Sequence, residues 1–139
     1  MELPELIIGG IHKDNRGQIQ FNNDFNAEQV KRIYVIENID YLFKRAWQGH
    51  RIERRWFAVI AGSFEIKLVK IDNWDHPSKT LDQSMYRLNS DSLDVLCIPG
   101  GYVSSIQALE DDSKLLVMAD YSFGEIADEY RYSNDYFDS

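Results

Sequence analysis

The residues best suited to chemistry lie in one short stretch around His50. The segment Arg45-Ala46-Trp47-Gln48-Gly49-His50 is followed by further arginines at positions 51, 54 and 55. Histidine has an unperturbed pKa of about 6.5, and the forked guanidinium of arginine binds phosphate groups. The stretch therefore predicts a general base beside an anionic ligand. The alternative is a solvent-exposed histidine among arginines that only keep an acidic protein soluble.

Other reactive side chains are predicted to have structural roles. His12 falls at a hairpin turn and His76 in an Asp-His-Pro loop, where a solvated histidine is the simpler interpretation. The single cysteine, Cys97, lies within the apolar run Val95-Leu96-Cys97-Ile98. That setting favours a small buried hydrophobic residue over a catalytic thiol.

Short alternating segments predict the framework that positions His50. The cleanest alternation runs from Ser63 to Ile71, with Phe64, Ile66 and Leu68 on one face, as in a long strand that is half exposed on its other side. About nine or ten such segments follow one another, with turns every ten or so residues and no long helical pattern. This arrangement is typical of an all-β sandwich or barrel.

Composition limits the class of protein and its partners. The 139 residues fit a single domain, 1–139, in which the acidic and aromatic segment 125–139 is a C-terminal surface tail. The formal net charge of -8 argues against nucleic acid or an anionic membrane as a partner, and no apolar run approaches membrane-spanning length. A start without signal-peptide features and the lone cysteine predict a cytoplasmic protein. A homodimer is expected, because small barrels leave edge strands exposed.

Several segments, in order along the chain, match the motifs of a known family. They are Asp14-Asn15-Arg16-Gly17, Lys31-Arg32-Ile33-Tyr34-Val35-Ile36, the segment 45–50 with Gly62-Ser63-Phe64, Ile98-Pro99-Gly100-Gly101-Tyr102, and Ala119-Asp120-Tyr121. With these segments the sequence resembles the metal-free sugar-nucleotide cupins: the deoxysugar 3,4-ketoisomerases and, more distantly, the dTDP-4-dehydrorhamnose 3,5-epimerases. The resemblance implies a cupin-type double-stranded β-helix, which is a jelly-roll barrel.

Two positions depart from the pattern of this family. Gln48 stands where the first histidine of the His-x-His pair is expected, and Ser104 stands at the histidine position of the second motif. Only His50 and Glu53 are left as ligands, and two ligands do not hold a transition metal well. We therefore expect no metal and no cofactor.

The resemblance implies an isomerase that acts on a dTDP-linked 4-keto-6-deoxy sugar in surface polysaccharide or deoxysugar biosynthesis. A base removes the proton next to the ketone, and a hydrogen-bond donor stabilises the enolate. His50 is the candidate base, and Tyr34 and Tyr121 are candidate proton donors, although either tyrosine can instead be an aromatic core residue.

Further side chains are candidates for binding the substrate. Arg45, Arg16 and Arg32 can bind the diphosphate, with Gln48 and Trp47 as other contacts, although a wall or core role is the simpler interpretation of Trp47. Arg54 and Arg55 cannot both face inward on an extended segment.

Ketoisomerisation is favoured over 3,5-epimerisation because Gln48 replaces the base that the epimerases use. Two alternatives stay open. One is a 3,5- or 3-epimerase of the same substrate class, and the other is a cupin that binds a sugar nucleotide or glycan without catalysis.

Overall fold

The computed structural model describes residues 2–138, which form twelve β-strands and no helix. Within this range no helix is long and apolar enough to cross a membrane. The strands are β1 (Glu5–Ile7), β2 (Gly10–Asp14), β3 (Gly17–Phe21), β4 (Arg32–Ile36), β5 (Lys44–His50), β6 (Arg55–Ala61), β7 (Ser63–Lys70), β8 (Gln83–Asn89), β9 (Val95–Ile98), β10 (Tyr102–Ala108), β11 (Lys114–Ala119) and β12 (Glu129–Arg131).

Ten of these strands form two five-stranded antiparallel sheets. The first sheet has the order β1-β9-β6-β11-β4 and the second has the order β12-β5-β10-β7-β8. β2 and β3 form a separate two-stranded hairpin. Strands that are distant in sequence are neighbours in both sheets, as in a jelly roll, which confirms the predicted all-β, cupin-type fold.

The main core lies between the two sheets. The predicted inward face of β7 is confirmed, because Phe64, Ile66 and Leu68 are buried there. They pack against residues such as Phe57 and Val117 from the facing sheet. Burial of these large side chains supplies most of the favourable free energy of folding.

The outer faces of the sheets carry two smaller apolar clusters. One covers the second sheet and contains Trp47, Val69 and Phe137, so the outward side of β7 is less exposed than the alternation predicted. The segment predicted as a surface tail therefore contributes both β12 and the buried Phe137. The other cluster covers the first sheet and includes Trp56 and Cys97, which is buried as predicted.

Two local features of the backbone orient the strands that form the site. Along β4, Arg32 and Tyr34 point toward the barrel interior, whereas Ile33, between them, is 66% exposed. Along β5 the pairing with β10 shifts by one residue between Arg45 and Gln48. This β-bulge changes the alternation, so Arg45, Gln48 and His50 all face the same cavity.

Gly49 is required where β5 meets β10. A Cβ atom at this position would lie 2.1 Å from the backbone oxygen of Tyr102, a distance at which the strands would have to separate. Gly49 thus permits the close pairing that holds the neighbouring His50 against β10.

Candidate active site

A cavity of about 830 Å³ opens at one end of the barrel, between the two sheets and the segment that leads from β11 to β12. Its volume lies in the range of small-molecule binding sites. The charged and polar residues that line it include Arg32, Tyr34, Glu37, Arg45, Gln48, His50, Glu53, Arg55, Ser104, Asp128, Glu129 and Arg131.

His50 lies in the wall of this cavity and is largely buried. Burial, followed by the positive charge of Arg55, lowers the pKa of His50 from 6.5 to about 4, against the opposing charges of Asp128 and Glu129. At neutral pH the imidazole is therefore uncharged and able to accept a proton. Nδ1 of His50 lies 3.4 Å from Oε2 of Glu53. Of the two ring nitrogens, Nε2 is therefore the one that does not face this carboxylate.

Glu53 joins the base to the rest of the site. Glu53 is only 6% exposed, and its Oε2 accepts a hydrogen bond of 2.9 Å from Nε of Arg55. Arg55 in turn donates a hydrogen bond through NH1 to the hydroxyl oxygen of Tyr34. His50, Glu53, Arg55 and Tyr34 thus form one connected group, in which a buried carboxylate is compensated by a guanidinium.

Tyr34 keeps its hydroxyl proton in this arrangement. Burial raises the pKa of its hydroxyl, although the charges of Arg55 and Arg32 act in the opposite direction. The phenol is therefore protonated at neutral pH. Because Arg55 donates to the phenol oxygen, the O–H proton of Tyr34 is free for another acceptor in the cavity.

Asp128 fixes the turn that follows His50. Its buried carboxylate accepts hydrogen bonds from the backbone N–H groups of Arg51, Ile52 and Glu53, at 3.1, 2.8 and 2.8 Å. Three charge-assisted hydrogen bonds to consecutive amides make this turn rigid. The turn therefore holds Glu53 at a fixed distance from His50.

Two of the four arginines that line the cavity have no carboxylate partner within residues 2–138. Arg55 is paired with Glu53 and Arg131 with Glu129. Arg32 instead contacts the rings of Tyr34 and Phe123, and Arg45 lies near Asn38 and the ring of Phe43. Arg32, from the first sheet, and Arg45, from the second, can thus bind an anion without first losing an ion pair.

Three residues predicted for the site lie outside the cavity lining. Arg16 is exposed in the β2–β3 hairpin, where it pairs with Asp14 at 2.8 Å. Trp47 is completely buried in the outer cluster of the second sheet, packed edge-on against Phe137, so the alternative core role is the one that this structure gives it. Tyr121 follows β11 and is not part of the lining, which starts again at Ser122. Within one protomer none of the three is positioned to contact a ligand in the cavity.

The two positions where histidines are replaced lie side by side. Gln48 on β5 is the register partner of Ser104 on β10, and both line the cavity. Among the described residues no group of three or more His, Cys, Asp or Glu side chains could hold a metal ion. Both of these side chains are polar and uncharged.

Several residues of the site were missed by the sequence reasoning. Arg55 was recognised only as one of two neighbouring arginines. The prediction that they cannot both face inward is confirmed, since Arg54 turns outward to Glu2 and Cys97. Glu53 was named only as a possible metal ligand, and its i,i+3 spacing from His50 was a weak signal for the contact between the two side chains. Asp128 and Phe123 had none, because they approach the cavity from a segment more than 70 residues away.

The fold and the site together define a cupin-type jelly-roll barrel whose cavity combines an uncharged histidine, a protonated tyrosine and two arginines without carboxylate partners among residues 2–138. The profile of the family described as "FdtA: WxcM-like, C-terminal" matches residues 2–139, and the chain belongs to this family. The resemblance inferred from the sequence motifs is thereby confirmed. A comparison with curated protein sequences found no match.

Solved structures with the same fold come from sugar-nucleotide enzymes. A variant of the 3,4-ketoisomerase QdtA from Thermoanaerobacterium thermosaccharolyticum, in complex with TDP-4-keto-6-deoxyglucose, aligns with a TM-score of 0.71 and 22% identity over 97% of this chain and 91% of its own. The TDP-quinovose 3,4-ketoisomerase WlaRB from Campylobacter jejuni aligns with a TM-score of 0.70 and 22% identity over 100% of both chains. The 3'-monoepimerase ChmJ from Streptomyces bikiniensis, in complex with dTDP-quinovose, aligns with a TM-score of 0.72 and 14% identity over 95% of this chain and 70% of its own.

Proposed function

We propose that this protein is a sugar-nucleotide isomerase that converts a dTDP-linked 4-keto-6-deoxy sugar into its 3-keto isomer. The observation that carries the proposal is the pairing, in one cavity, of the uncharged His50 with the protonated Tyr34. Membership of the FdtA family and the ligand of the similar QdtA structure support this substrate class.

His50 moves the carbon-bound proton in this proposal. Nε2 takes the proton from C3 of the sugar, and the electrons of the C–H bond form the enolate with the C4 carbonyl. The imidazolium that results is stabilised by Glu53, 3.4 Å from Nδ1. The imidazolium exchanges its proton with solvent and gives a proton to C4, and no cofactor is required.

Tyr34 moves the oxygen-bound proton. Its hydroxyl gives a proton to the C4 oxygen as the enolate forms, and the phenolate is stabilised by the hydrogen bond from Arg55. The phenolate then takes the proton from the C3 hydroxyl as the new ketone forms. C3 has lost a proton and C4 has gained one, while O3 has lost a proton and O4 has gained one, so the reaction is balanced.

Arg32 and Arg45 bind the diphosphate. They stand on opposite sheets at the cavity and lack carboxylate partners among residues 2–138, and together they can offset the charge of the substrate. Gln48, next to Ser104, offers an amide that can hydrogen bond to sugar hydroxyl groups.

Epimerisation of the same substrate is the second candidate. It requires a proton to arrive on the face of the carbon opposite to the base, which calls for a second donor across the sugar. Among residues 2–138, His50 is the one histidine that lines the cavity. Because Tyr34 is assigned to the oxygen-bound proton, this favours ketoisomerisation, in which one base can remove a proton and deliver one on the same face.

Proton exchange separates these candidates. The protein is incubated with dTDP-4-keto-6-deoxyglucose in heavy water, and the sugar protons are followed by NMR. Loss of the C3 proton together with a 3-keto product supports ketoisomerisation, and exchange without a 3-keto product indicates epimerisation. Binding of the nucleotide sugar without exchange at any carbon would refute the enzyme and leave the non-catalytic binder.

A pair of histidine variants tests the base. His50→Asn is expected to abolish exchange. The matched control His12→Asn removes an exposed histidine of the β2–β3 hairpin and is expected to leave exchange unchanged. Full exchange in the His50→Asn protein would refute the assignment of the base alone.

The cellular setting is part of the same proposal. We place the protein in deoxysugar or surface polysaccharide biosynthesis in the cytoplasm, and the unpaired, buried Cys97 supports a reducing compartment. A homodimer is supported by the edge strand β4, where Ile33 and Val35 are exposed apolar residues. Sedimentation measurements test the dimer.

A further inference from the structure

The C-terminal strap, residues 128–138, is held at both of its ends. It runs along β5 as β12 and then crosses the outer face of the second sheet. Within residues 128–138 only Asp128 and Phe137 are buried. Asp128 belongs to the lining of the active-site cavity, whereas Phe137 lies in the outer apolar cluster with Trp47. The two ends of the strap are therefore fixed on opposite sides of the second sheet.

The strand between these two ends is short and lies at the edge of the sheet. β12 has three residues, Glu129–Arg131, which pair with the segment from His50 back to Gln48 on β5. Two further backbone hydrogen bonds extend the pairing: the N–H of Tyr132 donates to the oxygen of Trp47 at 2.9 Å, and the N–H of Trp47 donates to the oxygen of Tyr132 at 3.4 Å. A strand this short gains little stability from its own pairing. The contacts at its ends therefore decide whether β12 stays on β5.

Phe137 makes the main contacts at the outer end. Its ring packs edge-on against Trp47, with 5.1 Å between the ring centroids. Its carbonyl oxygen accepts a hydrogen bond of 2.9 Å from Nε2 of Gln83 on β8. The next residue, Asp138, forms a partly exposed ion pair with Lys44, and such pairs add little stability. The buried ring of Phe137 is thus the contact whose loss should loosen the strap most.

The other end of the strap holds the turn that follows His50. The carboxylate of Asp128 accepts hydrogen bonds from the backbone N–H groups of residues 51–53. Glu53, the last residue of this turn, places Oε2 at 3.4 Å from Nδ1 of His50. The contacts form one path, because Phe137 holds β12 on β5, β12 follows Asp128 directly, and Asp128 holds the turn that carries Glu53.

We propose that Phe137 is a positioning residue for His50, which acts through the C-terminal strap from the outer face of the sheet. The inference rests on the proposed function, because it takes His50 to be the base. A misplacement of a reacting group by about 1 Å can cost about a hundredfold in rate. Phe137 is not part of the cavity lining, so its removal deletes no contact with the substrate. The effect of its loss therefore falls on kcat and not on ligand affinity.

Substitutions of Phe137 test this role by activity, ligand affinity and amide hydrogen exchange. In the Phe137→Ala protein we expect kcat to fall at least about tenfold, the dissociation constant of dTDP to change less than about threefold, and the amides of residues 51–53 to exchange at least about tenfold faster. Phe137→Leu keeps a large apolar side chain and is expected to restore kcat to within about threefold of the unchanged protein. The matched control is Val95→Ala, which removes buried apolar atoms from the outer cluster of the first sheet. It is expected to lower Tm while kcat and these amides stay unchanged.

The unchanged protein allows a second test that does not depend on the folding of a variant. The exchange of the amides of Ile52, Glu53 and Tyr132 is followed in low concentrations of urea. The first two donate to Asp128, and the third donates to Trp47. If the strap holds the turn, all three amides open as one unit with one free energy of opening. Opening of Tyr132 while Ile52 and Glu53 stay protected would contradict the proposed coupling, and so would the reverse.

The activity measurements separate this inference from the proposed function. If Phe137→Ala folds and keeps its full kcat, the positioning role is refuted and the proposed function stands. An equal loss of kcat in Val95→Ala also refutes the role, because lower stability would then explain both losses. A weakening of dTDP binding as large as the loss of kcat refutes it as well, since the strap would then act on ligand binding. If the unchanged protein does not isomerise the sugar nucleotide, both proposals fail.

Discussion

The lowered pKa of His50 predicts that the enzyme stays active in mildly acidic solution. A base must be uncharged to accept a proton, so activity follows the neutral fraction of His50. With a pKa of about 4, roughly 97% of the imidazole is neutral at pH 5.5. With the ordinary pKa of 6.5, only about 9% would be neutral, so the two cases differ roughly tenfold.

The assay is the rate of C3 proton exchange at subsaturating substrate, because kcat/KM reports the pKa values of the free enzyme. Between pH 8 and pH 5.5 we expect little loss of activity from protonation of His50. Circular dichroism at each pH provides the control for folding. A decline with a midpoint near 6.5 in the folded protein would refute the argument that burial and Arg55 depress this pKa.

Stability gives an independent measure of the same pKa. The unfolded state, with a histidine pKa near 6.5, binds a proton more readily than the folded state, with a pKa of about 4. The free energy of unfolding therefore falls as the pH is lowered from about 6.5 to about 4, and at pH 5 this one group makes it about 2 kcal/mol lower than at pH 8. Urea unfolding of the His50→Asn protein, compared with the unchanged protein at both pH values, isolates this contribution.

Other parts of the structure lead to further predictions. Tyr34→Phe removes the proposed donor and is expected to lower kcat by about 10² to 10⁴, with dTDP affinity nearly unchanged by calorimetry; activity above a tenth of normal would contradict the role. Asp128→Asn weakens three hydrogen bonds from the backbone N–H groups of residues 51–53 and is expected to cost at least about 2 kcal/mol, or roughly 5–10 °C in Tm, whereas the exposed control Asp82→Asn should not change Tm. Cys97 is buried, and burial raises its thiol pKa, so a thiol reagent should label it only in denaturant and leave activity intact; rapid labelling of the folded protein would contradict this.

The sequence pattern was sufficient to predict the β-strands and to select the candidate base. Alternation along β7 predicted which side chains enter the core, because successive residues of a strand point to opposite faces wherever pairing is regular. The same rule places Gln48 and His50 on one face of β5, and it separates Arg54 from Arg55. Histidine chemistry then singles out His50, and the buried state of Cys97 follows from its apolar neighbours.

The tertiary structure decided what surrounds the base. Regular alternation would place Arg45 on the same face of β5 as Trp47, but the bulge in β5 turns Arg45 toward the cavity. The bulge depends on pairing with β10, more than fifty residues away, so no local pattern reveals it. Arg16 and Tyr121 lie in motifs that match the family, yet the fold of one protomer keeps both out of the cavity.

The hydrogen-bond network next to His50 also depends on the tertiary structure. Tyr34 on β4 is far in sequence from the stretch that holds Glu53 and Arg55, and Asp128 reaches them from the segment before β12. Sequence determined that these side chains were available, because residue type sets which groups can ionise or hydrogen bond. Only folding brought them within hydrogen-bond distance and removed them from water. Burial then lowered the pKa of His50 and left that of Tyr34 raised, and this difference suits them to the proposed roles of base and acid.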